Sequence, residues 1–355
     1  MRVSMIRPAE LGQAEIEAWR SMQLKSSSLA NPFLCPEFAL GVGESQSAAR
    51  VAVLTEGSEI VGFFPFERRR FGTGASIGAV LSNCQGLIHS PGAQWDARGL
   101  LKACKVSAWQ FDKLAPNQMP FEQYVESRAP AAIIDLSRGF EAYRENFGLR
   151  SSSFLKKLDR RTRSLERRFG DIRIAVDSRD MAELRTLMSW KSDQCRQNGW
   201  LDVFERSWVV DLIDYIFALR NDSFSSVLSV LYVGETPSAA ALWLRSGGFM
   251  TGWYTAYDPT FKDYSPGLIH FIRAAEGLAA AGVRTLEFGG ADHYQEKLKN
   301  GDIYYSKGTA TTGRFTAGAH RVRVSAEGWT RHQIKRSPLA YRVADRALRS
   351  RGRIA

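Results

Sequence analysis

The chain has 355 residues, 44% hydrophobic and 24% charged, with a net charge of +11. That length exceeds one compact domain and suits two, and the ordinary globular composition excludes a disordered, collagen-like or coiled-coil chain. No apolar run reaches the ~18 residues of a membrane span, and the opening stretch, with Glu10 and Glu15 and no apolar centre, reads as no secretory signal. Cys35, Cys84, Cys104 and Cys195 form no CxxC pair, and the five histidines are scattered. Neither a zinc site nor a disulfide framework is expected, so the reading is a metal-free cytoplasmic protein. The basicity is local. Residues 144–168 hold nine Lys/Arg against three acids, residues 328–355 hold eight against one, and the rest is nearly neutral. Such patches speak about partners rather than fold.

Residues 50–70 read as strand, turn at Glu56-Gly57-Ser58, strand. Ser90-Pro91-Gly92 precedes a helix-like segment and then a strand at 109–114. The basic segment spaces Phe154, Leu158, Leu165 and Phe169 as one helical stripe among arginines. Past Asp171 a strand alternates, and Asp180 with Glu183 has capping-box spacing before a helix with Met181, Leu184 and Met188 inward. Asn198-Gly199 ends it, and Ser207 can cap a second helix. Strands follow at 226–233, 238–246 and 249–257, with a turn at Gly234. A helix starts at Pro266, where no amide is needed, and ends by Gly282. A strand at 283–288, a helical or looped piece at 292–299 and a strand region at 303–316 close the order.

The two halves repeat. Gly57 and Gly234 lie 177 residues apart, the Ser-Pro-Gly tripeptides 175 apart, and the strands opening at Trp109 and Val283 174 apart. Three ordered landmarks at nearly constant offset give two copies of one α/β unit. The copies are read as residues 1–150, more worn, and 151–320, followed by a basic tail at 328–355.

The element order of the second copy resembles the GNAT acyltransferase fold. The residues that sharpen it are Asn31-Pro-Phe-Leu-Cys-Pro-Glu-Phe38, Leu81-Ser-Asn-Cys-Gln-Gly-Leu-Ile88, Trp190-Lys191 with Gln194, Tyr257-Asp-Pro with Ser265-Pro-Gly267, and Glu287-Phe-Gly-Gly-Ala-Asp-His-Tyr294. Together they resemble the CelD-like branch linked to cellulose and exopolysaccharide biosynthesis, and the related FemAB-type transferases, which also carry tandem GNAT folds. The resemblance implies two mixed sheets flanked by helices. In that fold the fourth and fifth strands splay around an acyl donor, most simply acetyl-CoA; the second copy is expected to carry the site and the first to wall the cleft. The family's glycine-rich donor loop is here Lys262-Asp-Tyr-Ser-Pro-Gly267, with one glycine and a proline. A helix start still attracts anions, and Lys262 adds charge.

On this reading Tyr257, Lys262, Ser265, Pro266 and Gly267 bind the acyl-CoA donor. Glu287 or Asp292 is the base and Tyr294 the acid or an orienting hydroxyl. Trp190, Lys191, Gln194 and Lys297 hold a saccharide or polysaccharide-precursor acceptor, with an indole stacking on a sugar and an amide bonding its hydroxyls. Plainer readings stand beside these. Asp292 also fits a helix cap, Glu287 an internal ion pair, and Trp190 ordinary packing. Cys195 has no histidine near it in sequence and reads as a small buried hydrophobe. The tail spaces Leu339, Val343 and Ala347 amid arginines, which suits peripheral contact with an anionic membrane. Neither basic patch has the pattern of a specific nucleic-acid reader. Two alternatives remain open: a FemAB-like aminoacyl transferase using charged tRNA, and a non-catalytic adaptor of a membrane polysaccharide synthase complex.

Overall fold

The computed structural model describes residues 1–289 and 295–313. Asp292, Tyr294 and the tail at 328–355 lie outside them. Alternating apolar residues and tight glycine turns build thirteen strands among the described residues. In chain order the elements are β1 (Arg2–Ile6), α1 (Gln13–Leu24), α2 (Pro36–Ser45), β2 (Ala49–Glu56), β3 (Glu59–Arg68), β4 (Thr73–Ser76), β5 (Ile88–His89), α3 (Ala97–Ala103), β6 (Ala108–Leu114) and β7 (Val125–Asp135). Then come α4 (Gly139–Phe169), β8 (Ile172–Ser178), α5 (Met181–Gln197), α6 (Ser207–Ala218), β9 (Ser225–Val233), β10 (Thr236–Ser246), β11 (Phe249–Tyr257), α7 (Pro266–Ala280), β12 (Thr285–Glu287), α8 (Gln295–Leu298) and β13 (Gly301–Thr311).

The strands form one sheet in the order β1-β2-β3-β4-β6-β13-β7-β12-β11-β10-β9-β8, with β5 beside β3. Read from either end, this order is the same unit. β1 matches β8, β2 matches β9, β3 matches β10, β4 matches β11, β6 matches β12 and β7 matches β13. The tandem repeat is therefore built into the topology as an approximate two-fold. The two expected sheets are fused edge to edge because each unit lends its last strand to the other. β13 lies between β6 and β7, antiparallel to both, and β7 lies between β13 and β12.

The fusion has a physical rationale. A lone unit would present a bare row of amides and carbonyls at its last strand, and exchange pairs both rows. The two units also share a core on one face. Trp19, Phe33, Phe38 and Phe63 of the first pack in the same cluster as Leu184, Leu212, Ile213 and Trp253 of the second. Helices α2 and α6 meet so closely there that a Cβ on Gly41 would lie 2.7 Å from the Tyr215 ring. The opposite face is divided between Phe64, Phe66, Trp109 and Phe121 in the first unit and Trp243, Phe271 and Leu286 in the second.

The local signals act largely as read. The Asp180 carboxylate accepts the Ala182 amide at 2.7 Å and caps α5. Glu183, however, bonds the Ser178 hydroxyl, so the capping box is not closed. The stripe on α4 is buried at Leu158 and Leu165, and the helix bends where Ser151 leaves helical geometry.

The exchange makes β13 intolerant of bulk. A Cβ on Gly308 would stand 2.0 Å from the Tyr124 carbonyl oxygen. Gly308→Ala is expected to cost about 1–3 kcal/mol. Tryptophan fluorescence and far-ultraviolet dichroism in a denaturant titration should then show both halves unfolding together at a lower midpoint.

Candidate active site

In the second unit β11 and β12 run parallel and pair at three positions: Phe249 with Thr285, Met250 with Leu286 and Thr251 with Glu287. Beyond them the strands part. Two features force the parting. On the β10 side, Leu242 pairs with Tyr254 and Trp243 with Gly252, so Trp253 is an extra residue, a bulge that sharpens the local twist. On the β12 side, Gly289 takes a positive φ of 73° and passes so close that a Cβ there would lie 1.8 Å from the Gly252 carbonyl oxygen. Only glycine fits both demands.

A cavity of about 270 Å³ lies between the last residues of β11 and the start of α7. It is lined by Tyr257, Lys262, Ser265, Pro266 and Gly267, with Lys191 and Gln194 from α5. The residues read as donor-binding are thus brought together. Two of those read as acceptor-binding share their cavity, with Lys191 Nζ donating to Gln194 Oε1 at 2.8 Å. Trp200 and Tyr257 stand half-exposed among the lining residues. His270 lines the cavity from below. Burial pushes its imidazole down to about 4, and its Nε2 lies 2.9 Å from the Ser229 hydroxyl.

The start of α7 is cationic. Ser265 sits in the left-handed region and caps no amide with its side chain. Arg161 of α4 reaches it, Nη1 donating to Ser265 Oγ at 2.6 Å. Arg168 donates to the Tyr264 hydroxyl at 3.2 Å. A helix start with Arg161 and an exposed Lys262 beside it is a donor set that fits the phosphates of a nucleotide-bearing thioester. The basic segment has one turned side at this loop. Arg161 was visible in the sequence only as one of the nine Lys/Arg residues of 144–168.

Trp190 does not face the cavity. It is half-buried and packs against the shared core, although it is the i,i+4 neighbour of Gln194 on α5. Lys297 is also elsewhere, its ammonium 5.7 Å from the centre of the Phe154 ring. Cys195 is buried, with its thiol pushed up by burial. Tyr254 stacks on Trp253, and its buried hydroxyl has no hydrogen-bond partner among the described residues.

Glu287, the last residue of β12, is 1% exposed. Its side chain leaves the sheet on the face opposite α7, toward residues contributed by both units. Asn31 of the first unit donates from Nδ2 to Glu287 Oε2 at 3.0 Å and to the Tyr305 hydroxyl at 3.1 Å. Burial raises the carboxyl to about 7, against the opposing Lys113 charge and the hydroxyls and amide of Thr251, Tyr305 and Asn31. Oε1 and the Thr251 hydroxyl are buried, and neither meets a hydrogen-bond partner in good geometry among the described residues. Asn31 and Tyr305 also line a cleft of about 760 Å³ between the units, with Gln23, Asn117 and Arg284. Glu287 therefore lies directly behind the wall of this cleft. Sequence reasoning missed Tyr305 and Lys113 as site residues. Asn31 stood within a quoted segment but carried no role.

The corresponding gap in the first unit is filled. Gln85 bonds the backbone of Lys113 and Ala115, the Gln118 side chain grips both backbone groups of Leu87, and Phe121 is wholly buried beside them.

Residues 152–298 match the family described as the acetyltransferase (GNAT) domain. No curated protein matches the sequence. Among solved structures, the C-terminal domain of a putative lysylphosphatidylglycerol synthetase from Agrobacterium fabrum aligns with a TM-score of 0.53 at 11% identity, over 88% of this chain and 96% of that one. FemX aligns with a TM-score of 0.53 at 12% identity, over 86% of this chain and 96% of that one. At such identities these likenesses show the fold alone; the repeated strand order and the family match over the second unit make it a tandem GNAT-like arrangement. The second unit is a GNAT-type acyltransferase domain. No helix among the described residues is long and apolar enough to cross a membrane.

The buried carboxyl has a consequence for stability. Its folded-state value near 7 lies above the ordinary 4.5, so the folded chain holds the proton longer than the unfolded chain. Stability is then greatest below about pH 4.5, falls as pH rises toward 7, and is flat above, by on the order of 3 kcal/mol. Glu287→Gln should flatten that decline in melting temperature, and an unchanged profile would exclude a raised carboxyl.

Proposed function

We propose that the protein transfers an acyl group, most simply acetyl from acetyl-CoA, to a hydroxyl or amine of a sugar or polysaccharide precursor. The observation that carries this is the parting of β11 from β12 after three paired positions, with a cavity at the cationic start of α7 against the last residues of β11. The donor thioester would supply an activated acyl carbon. Lys262, Arg161 and the first turn of α7 would hold its phosphates. The bulged amides of β11, from Trp253 onward, would face its carbonyl oxygen.

The acceptor would occupy the cleft between the units. Gln23, Asn31, Asn117 and Tyr305 are neutral hydrogen-bonding groups of the kind that suits sugar hydroxyls. A nucleophile bonded to Tyr305 can pass its proton through that hydroxyl to Glu287, whose value near 7 suits a base at neutral pH. The roles proposed for Asp292 and Tyr294 rest on the resemblance. Contact of the tail with anionic membrane is likewise proposed from its sequence.

A second reading has one observation in its favour. Lys156, Lys157, Arg160, Arg163 and Arg167 form an exposed cationic stripe on α4, suited to a long polyanion such as the RNA of a charged tRNA. Loss of transfer on ribonuclease treatment would select it.

The donor site is tested by calorimetry with acetyl-CoA. Wild type should bind. The pair Lys262→Glu and Arg161→Gln should weaken binding on the order of tenfold or more, about 1.4 kcal/mol. Equal affinity in the variant would contradict this donor site.

Transfer is tested by incubating the protein with labelled acetyl-CoA and a panel of amino sugars and nucleotide sugars. Label should move to the saccharide with wild type and fall at least a hundredfold with Glu287→Gln. Full transfer by the Gln variant would remove Glu287 from the reaction.

A further inference from the structure

The closed end of the wedge belongs to the second unit, yet side chains of the first unit hold both of its lips. Asn83 Nδ2 donates to the Gly252 carbonyl on the β11 lip at 3.4 Å. Lys113 Nζ donates to the Gly289 carbonyl on the β12 lip at 3.3 Å. The same ammonium donates to Asn83 Oδ1 at 2.9 Å, so the two side chains form one bridge across the opening. These are the two glycines whose backbones cross too closely for any other residue.

The loop that bears Asn83 is itself fixed. Ser82 Oγ donates to the Cys84 carbonyl at 2.8 Å, and the Trp253 indole, on the bulge, donates to the Leu81 carbonyl at 3.1 Å. Lys113 is anchored at the end of β6, where its backbone carbonyl accepts the Gln85 amide at 2.9 Å. A half-buried ammonium with no carboxylate in hydrogen-bond contact among the described residues is a costly way merely to join two units, because apolar packing would serve. Its position accounts for it. A donor whose phosphates sit at the start of α7 reaches its acyl end toward this closed end of the wedge.

We propose that Asn83 and Lys113 are positioning residues of the acyl-transfer site, setting the width and polarity of the wedge where the acyl end of the donor lies. The inference rests on the acyl-donor reading above. It also gives the first unit, whose own gap is filled, an obligatory part in the second unit's site. Lys113 is the positive charge acting on Glu287, which is otherwise faced by Tyr305 and the Cys84 thiol.

The test uses the full chain and its Lys113→Met, Lys113→Arg and Asn83→Ala variants. Each is titrated with acetyl-CoA and separately with adenosine 3′,5′-bisphosphate, the nucleotide end of that donor. Carbon-13 labelled glutamate reports the Glu287 midpoint. Lys113→Met and Asn83→Ala should weaken acetyl-CoA at least tenfold and leave the bisphosphate within twofold. Lys113→Met should raise the Glu287 midpoint, and Lys113→Arg should restore both readings. Acetyl-CoA affinity within twofold of wild type in both variants would overturn the proposal, whatever the melting temperature. So would a loss that arginine does not rescue and that follows the melting curve. A wild-type chain that binds neither probe would overturn the acyl-donor reading and this inference with it, and the wild-type titration alone identifies that case.

Discussion

Two strands exchange places at the centre of this molecule, and the rest of its architecture depends on that exchange. With β7 and β13 paired to each other and each inserted against the other unit, neither unit is left with an open edge at its last strand. The exchange brings Tyr305, on a strand late in the chain, within hydrogen-bond reach of Asn31, near its start. It also sets β12 next to β7, so that Glu287 ends in a region built by both halves. A duplicated fold has become one object with one seam.

Along that seam the halves have diverged in a physically simple way. The same parting of strands exists in both. In the first unit a backbone segment and Phe121 fill it, and what remains is packing. In the second unit the bulge at Trp253 and the crossing at Gly289 keep it open, and a helix start with cationic neighbours stands at its mouth. The open copy can take a ligand, and the filled copy supplies the groups that brace it. Burial then sets the chemistry. A carboxyl buried among groups of both units is held where it can give or take a proton near neutral pH.

Much of this was legible in the sequence because it depends on local pattern. The near-constant offset between Gly57 and Gly234, the Ser-Pro-Gly turns and the β10–β11 alternation are short-range signals, and the strands stand close to where those signals set them. Tyr257, Lys262 and Ser265 through Gly267 share a cavity because one turn joins β11 to α7. What the sequence did not reveal is long-range. No local pattern tells β13 to pair with β6, so two separate sheets were expected and one was found. Lys113 and Tyr305 look like ordinary strand residues until that exchange places them beside Glu287. Trp190 was read as acceptor-binding from its helical spacing to Gln194, which fixes neighbours on a helix but not how far each side chain sinks into the core.

The central claim is that an acyl-CoA thioester lies in the wedge between β11 and β12. Amide hydrogen exchange on the intact chain, with and without acetyl-CoA, tests it most directly. Slowed exchange should concentrate at residues 253–257 and at the first turn of α7, with the filled gap of the first unit unchanged. Saturating acetyl-CoA that leaves those amides exchanging at their free rates, or protects the first unit instead, would contradict the account.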